Sequence, residues 1–175
     1  MNLFGDKRRR TFAQEALPHQ ESLYRMAVSL TRDRAVAQDI VQDTYREAWR
    51  GFDRYQPGSN CKAWLFTILF RVNKRHSRRG LAHLTVSLDE VPERQLSSQP
   101  DFEDRLNNEV VIRLLDSLPE HYRLVLILAD VESLSYREIS ATAGIPIGTV
   151  MSRLNRARSL LREKLAGNRN TARSA

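Results

Sequence analysis

Apolar residues recur at helical spacing along most of this chain, and no stretch alternates apolar and polar residues as a half-buried strand would. Helical periodicity begins near Pro18, with Leu23, Ala27 and Leu30 on one side and Tyr24 and Val28 widening the stripe. Asp33 is placed to cap the next helix. That helix runs to about Trp49, with Ala37, Ile40, Val41, Thr44 and Ala48 facing inward and Asp39, Gln42, Asp43, Arg46 and Arg50 sharing the outer face. After a loop, Trp64, Leu65, Ile68, Leu69 and Val72 mark a third helix. Periodicity then lapses from Leu81 to Phe102, a stretch broken by Pro92 and Pro100, with one short ordered contact expected around Val86, Ser87 and Leu88. It returns at Asp104 with Val110, Val111, Leu114, Leu115 and Leu118. Pro119 opens a further helix carried by Tyr122, Val125, Leu126 and Leu128 to about Val131. The pattern predicts an all-α chain of two small helical domains joined by a flexible acidic linker. The expected divisions are a basic tail over 1–16, a helical domain over 17–80, a linker over 81–103, a second domain over 104–166 and a tail over 167–175.

The stretch from Ser133 to Leu165 carries the densest local signal. Ser135 followed by Glu138 is a capping box, so a helix starts there, with Tyr136, Ile139 and Ala143 as its apolar stripe. Gly144 can take the left-handed conformation that ends it, and Pro146 lies at the mouth of a second helix, where its missing N–H costs nothing. In that second helix Val150, Leu154, Ala157 and Leu161 fall on one face, and Thr149, Ser152, Arg153 and Arg156 on another. Two short helices joined by a glycine turn, the second with a polar and basic face, are the sequence form of a helix-turn-helix. Residues early in the second helix of that motif reach base edges, which singles out Arg153 for reading and leaves Arg156 and Arg158 for phosphates.

Charge sharpens this picture. The 175 residues carry a net charge of +7, an excess that favours a polyanionic partner. Lys62 to Arg79 holds six basic residues and no acid, and Thr149 to Leu165 holds five against one. Between them Ser87 to Glu109 carries seven acids and two arginines, so two basic blocks flank an acidic one. Just before the first block, Phe52 to Asn60 has strong turn chemistry at Pro57-Gly58. Its aromatics Phe52 and Tyr55 stand beside arginine and either stack exposed bases or close the core beneath the loop.

Other chemistry is missing from the sequence. There is no glycine-rich phosphate loop, nucleophile elbow or dinucleotide fingerprint, and no catalytic constellation, so an enzyme is not expected. His19, His76, His83 and His121 have no metal-ligand spacing with Cys61 or with each other, and no metal or cofactor is expected. The single cysteine excludes an internal disulfide and reads as a small core residue rather than a thiol sensor. No run of eighteen apolar residues exists and the N-terminus lacks a secretory signal, which predicts a cytoplasmic protein without membrane insertion.

Taken together, these segments resemble the bacterial sigma factors of the extracytoplasmic-function group. DIVQDTYREAW (Asp39 to Trp49) resembles the family's core-polymerase-binding helix, and FDRYQPGSNCKAWLFTIL (Phe52 to Leu69) its promoter-melting segment. SLPEHYRLVLIL (Ser117 to Leu128), followed by the helix-turn-helix of Leu134 to Leu165, resembles its minus-thirty-five-binding domain. The resemblance implies a first domain on the polymerase clamp and the minus-ten element, and a second on the minus-thirty-five element and the polymerase flap. It implies polymerase docking through Asp39, Gln42, Asp43 and Arg46. It further implies that Phe52, Tyr55, Ser59, Asn60, Arg71 and Asn73 meet the opened minus-ten strand, with Lys74, Arg75 and Arg78 on its phosphates. The minus-thirty-five set is Thr149, Ser152, Arg153, Arg156 and Arg158. The implied partners are core RNA polymerase, promoter DNA and an inhibitory anti-sigma factor. One departure stands out: many members place an asparagine seven residues after the tryptophan, where this chain has Arg71, with Asn73 two residues later. Which of them captures a flipped base is left open. The competing readings are an autonomous helix-turn-helix regulator and, without catalytic residues to support it, a nucleic-acid enzyme.

Overall fold

The structure, a computed structural model, describes residues 3–83 and 113–172, and among these every regular element is helical. The chain divides into two compact units, Met1–Glu93 and Arg94–Ala175.

Four helices build the first unit: α1 (Leu3–Ala16), α2 (Gln20–Thr31), α3 (Arg34–Gly51) and α4 (Cys61–His83). Leu17–His19 forms a single 3-10 turn around Pro18 between α1 and α2. The short α2–α3 connection turns at Arg32, whose φ of 53° is left-handed, and its N–H closes on the Val28 carbonyl at 2.8 Å. Asp33 then caps α3, accepting from the N–H groups of Ala35 and Val36. Helix α3 packs against both α2 and α4, so its inward stripe is the centre of the unit. Ala37, Ile40, Val41, Thr44 and Ala48 are buried there, as their spacing predicts. Thr44 is the polar member, and its hydroxyl is satisfied by the Ile40 carbonyl at 2.7 Å. Leu23, Met26 and Ala27 face it from α2, and Leu65, Phe66, Ile68, Leu69 and Val72 from α4.

The basic tail expected over 1–16 is instead the ordered helix α1. Phe12 is buried and meets Tyr45, Trp49 and Phe52 edge-on, with ring centroids 6.3, 5.2 and 5.1 Å apart. Such pairs contribute roughly 0.5–1.5 kcal/mol each beyond the area they bury. Arg8 lies 4.4 Å from the centre of the Trp49 ring and 3.1 Å from Asp53. Tyr45 closes the seam by donating to the Ala16 carbonyl.

The second unit contains α5 (Glu120–Leu126), α6 (Tyr136–Ala143) and α7 (Ile147–Ala172). Pro119 precedes α5, and the helix relaxes into a π turn over Ile127–Val131. Glu132 closes that turn on the Ile127 carbonyl, and Ser133 reverses the chain at a φ of 57°. The capping box is present in full: Ser135 accepts from the Glu138 N–H, and the Glu138 carboxylate accepts from the Ser135 N–H at 2.7 Å. A cap of this kind stabilises a helix by about 1 kcal/mol. Gly144 ends α6 at a φ of 65°, and the Ser140 hydroxyl pins the turn by donating to the Ile145 carbonyl. Helix α7 packs on α5 and α6 through Val150, Leu154 and Ala157, with Ile139 and Val125 opposite. Within α6 the stripe is shifted from expectation: Ile139 and Thr142 are buried, whereas Tyr136 is exposed.

Two expected boundaries move. Helix α4 runs past 80 to His83, and α7 continues to Ala172 through much of the expected tail over 167–175. The rest of the linker expected over 81–103, its contact around Ser87, and the helical start from Asp104 through Val111 lie outside the described residues.

Candidate nucleic-acid interfaces

Three of the four residues expected to dock polymerase from the outer face of α3 hold one another. Arg46 donates to Asp43 at 2.5 Å and to Gln42 at 3.3 Å, with Asp39 exposed one turn earlier. His76 of α4 reaches Asp43 at 3.0 Å. That hydrogen bond, aided by Arg46, holds the Asp43 carboxyl below its usual range against the opposing effect of burial. The face is therefore an array of mixed charge in which three side chains are hydrogen-bonded to one another and one of them to His76 of α4.

The loop after α3 is also fixed. Gly58, at a φ of 85°, and Pro57 make a tight turn closed by the Ser59 N–H on the Gln56 carbonyl at 3.1 Å. The Asn60 side chain caps α4 by accepting from the Ala63 N–H. Phe52 and Tyr55, expected to meet opened bases, are only 8% and 6% exposed. Their rings stack on each other at 5.5 Å, and Tyr55 lies 5.0 Å from Trp64 and donates its hydroxyl to the Ser59 carbonyl. Of the two roles open to them, they take the one that closes the core, because α1 supplies Phe12 as a cover that the sequence pattern did not reveal. The half-exposed ring in the first turn of the basic helix is Trp64.

Helix α4 presents Arg71, Lys74, Arg75 and Arg78, all exposed and at spacings of three and four, on one face. Asn73 lies about 200° round the helix from Arg71 and is half-buried, so the two do not share a face. Arg71 and Arg75 both donate to the carboxylate of Glu47 on α3, Arg71 at 3.0 Å. Two clefts flank this contact. One of about 410 Å3 is lined by Arg50, Arg54, Trp64, Thr67 and Arg71 among others, and one of about 270 Å3 by Asp43, Arg46, Arg75 and His76, with Glu47 and Arg50 lining both.

In the second unit, α7 buries Val150, Leu154 and Ala157 and exposes Gly148, Met151, Ser152, Asn155 and Arg156. Thr149 and Arg153 are half-exposed on the flank. The sequence reading missed Met151, which is 49% exposed, and Asn155. Plotting the helix from the buried residues outward would have found both, Asn155 beside Ser152 at the centre of the face opposite Val150 and Ala157, and Met151 at its edge. Arg158, expected on a phosphate, is paired within the free chain. Its guanidinium is bonded at both Nε and Nη2 to Asp130, at 3.2 and 2.6 Å, and hydrogen bonding to Asp130 and Tyr136 pushes its pKa up. It ties α7 to the π turn that ends α5.

Among the described residues no group of His, Cys, Asp and Glu could hold a metal ion, and no helix is long and apolar enough to cross a membrane. Cys61 is buried, and that burial, with Glu15 nearby, pushes its thiol up to about 11.

Comparison with known proteins matches the geometry unit by unit. Residues 17–81 match the family model of sigma-70 region 2, and residues 108–161 that of sigma-70 region 4. The ECF RNA polymerase sigma factor EcfG of Rhodopseudomonas palustris is 41% identical over 80% of this chain and 77% of its own length. The ECF RNA polymerase sigma factor SigE of Mycolicibacterium smegmatis is 35% identical over 85% of this chain, which spans only 59% of that relative. Among solved structures, the sigma factor RpoE of Bartonella quintana, in complex with the anti-sigma factor NepR, superposes with a TM-score of 0.72. It is 34% identical, over 90% of this chain and 98% of that one. CnrH, solved with the cytosolic domain of CnrY, is 26% identical with a TM-score of 0.65, over 91% of this chain and 90% of its own. With both sigma regions matched in order, and their helical units carrying a helix with a basic face and a helix-turn-helix, the chain belongs to the extracytoplasmic-function group of the sigma-70 family, whose members are promoter-recognising initiation factors of RNA polymerase.

Proposed function

We propose that this chain is a dissociable initiation subunit that binds core RNA polymerase through the α3 face of Asp39, Gln42, Asp43 and Arg46. In this reading the α4 face of Arg71, Lys74, Arg75 and Arg78 tracks the phosphates of the opened minus-ten strand, with Ser59 and Asn60 at its rim. Asn73, on the far side of α4, leaves base capture to the cleft beside Arg71, where Trp64 offers the exposed aromatic edge. On α7, Ser152, Met151, Asn155 and Arg156 face the minus-thirty-five major groove. Asparagine pairs bidentately with adenine, and an apolar side chain packs on the thymine methyl. Thr149 and Arg153 flank that face. The chain works in the cytoplasm without catalytic chemistry of its own. By its likeness to sigma factors solved with inhibitors, it is held in reserve by an anti-sigma factor.

The observation that carries this reading is the pairing, in one chain, of a mixed-charge face with two separate basic surfaces, one suited to a single strand and one to a duplex. An autonomous regulator needs only the last of these. The experiment is an electrophoretic shift on a pool of random duplexes, with the chain alone and with core polymerase added. Sequence-selective retention is expected only with core polymerase. Equally selective retention by the chain alone would favour the regulator reading instead.

A further inference from the structure

Glu47 stands where two clefts meet, and it accepts from two arginines of α4. Its side chain is 21% exposed, against 63% for Arg71 and 47% for Arg75, both of which donate to it from α4. Arg50 lines the clefts on either side of it, and Arg54 lines the larger. The cluster stays cationic with Glu47 in place, since the other acid that lines the clefts, Asp43, is engaged by Arg46 and His76. A guanidinium fork binds carboxylate and phosphate through the same geometry. Ion pairs as exposed as these are weak and exchange readily.

We propose that Arg71 and Arg75 form a site for one phosphodiester of a nucleic-acid strand, and that Glu47 occupies this site in the free protein, so that strand and carboxylate compete for the same two guanidiniums. The proposal rests on the assignment of α4 to the minus-ten strand and adds to it a built-in brake. Without polymerase, an incoming strand must displace Glu47, which suppresses binding to arbitrary single strands. On the polymerase, contacts elsewhere hold the strand in place and the exchange proceeds. The residue spacing supports an exchange rather than a fixed staple: Arg71 and Arg75 are one helical turn apart, so a phosphate can bridge them as Glu47 does.

The test is fluorescence anisotropy of the full chain, without polymerase, on a labelled single-stranded oligonucleotide of mixed sequence across a series of salt concentrations. Glu47→Gln is expected to tighten binding on the order of tenfold at low salt, and to steepen the salt dependence by about 0.7 for the phosphate gained. Adding Arg71→Gln and Arg75→Gln to that variant should abolish the gain, and the same pair should cost much less in the wild-type background. Affinity and salt slope unchanged by Glu47→Gln, with a wild-type circular dichroism spectrum, would overturn the proposal. If Glu47→Gln does not fold, Glu47→Asp carries the same test, since its shorter arm cannot span both guanidiniums. The two layers separate cleanly. A strand affinity that depends on Lys74 and Arg78 but not on Glu47 removes the brake and keeps the minus-ten assignment. A strand affinity indifferent to every α4 arginine removes both.

Discussion

Cys61 opens α4 from inside the core, 5% exposed, with its thiol pushed up to about 11 by burial. The neutral thiol is thus favoured in the folded chain. Below the ordinary value of 9.0 this costs nothing; above it the unfolded chain ionises first, so stability falls as pH rises toward about 11. At pH 8 the native thiol should resist iodoacetamide while the urea-unfolded chain reacts readily. Equal alkylation rates in the two states would show that Cys61 is reachable and restore the sensor reading. This residue was legible in the sequence because a single cysteine at the start of an apolar helix is most simply a core residue. Phe52 and Tyr55 were not. Their spacing and loop composition fit either role, and the deciding contact comes from Phe12, forty residues before Phe52 and in a segment with no apolar period of its own. Glu47 was invisible for a related reason: its partners lie 24 and 28 residues away, and only the packing of α3 on α4 brings them together.

At the level of elements, local chemistry carried the reading furthest. The capping box at Ser135 and Glu138, the left-handed Gly144 and the Asp33 cap each act within a few residues, and each stands where the sequence places it. The recognition helix is half legible. Its start and its buried stripe follow from Pro146, Val150, Leu154 and Ala157, but which polar residues lead depends on the exact angle of the outer face. The exposed centre of α7 lies at Ser152 and Asn155, while Met151 and Arg153 sit at its flanks. Asn155→Ala should therefore lose discrimination at one base pair by about 1–3 kcal/mol. Arg153→Ala should weaken all sequences more evenly and flatten the salt dependence. Binding across single-base variants of the minus-thirty-five element, at two salt concentrations, separates the two. A base preference lost on removing Arg153 and kept on removing Asn155 would reverse their roles. Arg158→Ala should act through stability rather than DNA, since it unties α7 from Asp130 of the π turn.

For the whole molecule, the acidic stretch from Ser87 to Glu109 and the two basic blocks around it were read directly from charge. What charge alone cannot convey is that the first block is partly neutralised from within, and that the exposed face of the helix in front of it, α3, carries side chains bonded to one another and to His76. The central claim is that the α3 face docks core polymerase and so turns two weak DNA surfaces into promoter recognition. Run-off transcription from a promoter library, with core polymerase and either the wild-type chain or Asp43→Arg, tests it most directly. The wild-type chain should yield transcripts from templates sharing one pair of elements, and Asp43→Arg, folded as judged by circular dichroism, should lose them together with its affinity for core polymerase. Undiminished transcription and wild-type core affinity in Asp43→Arg would contradict it.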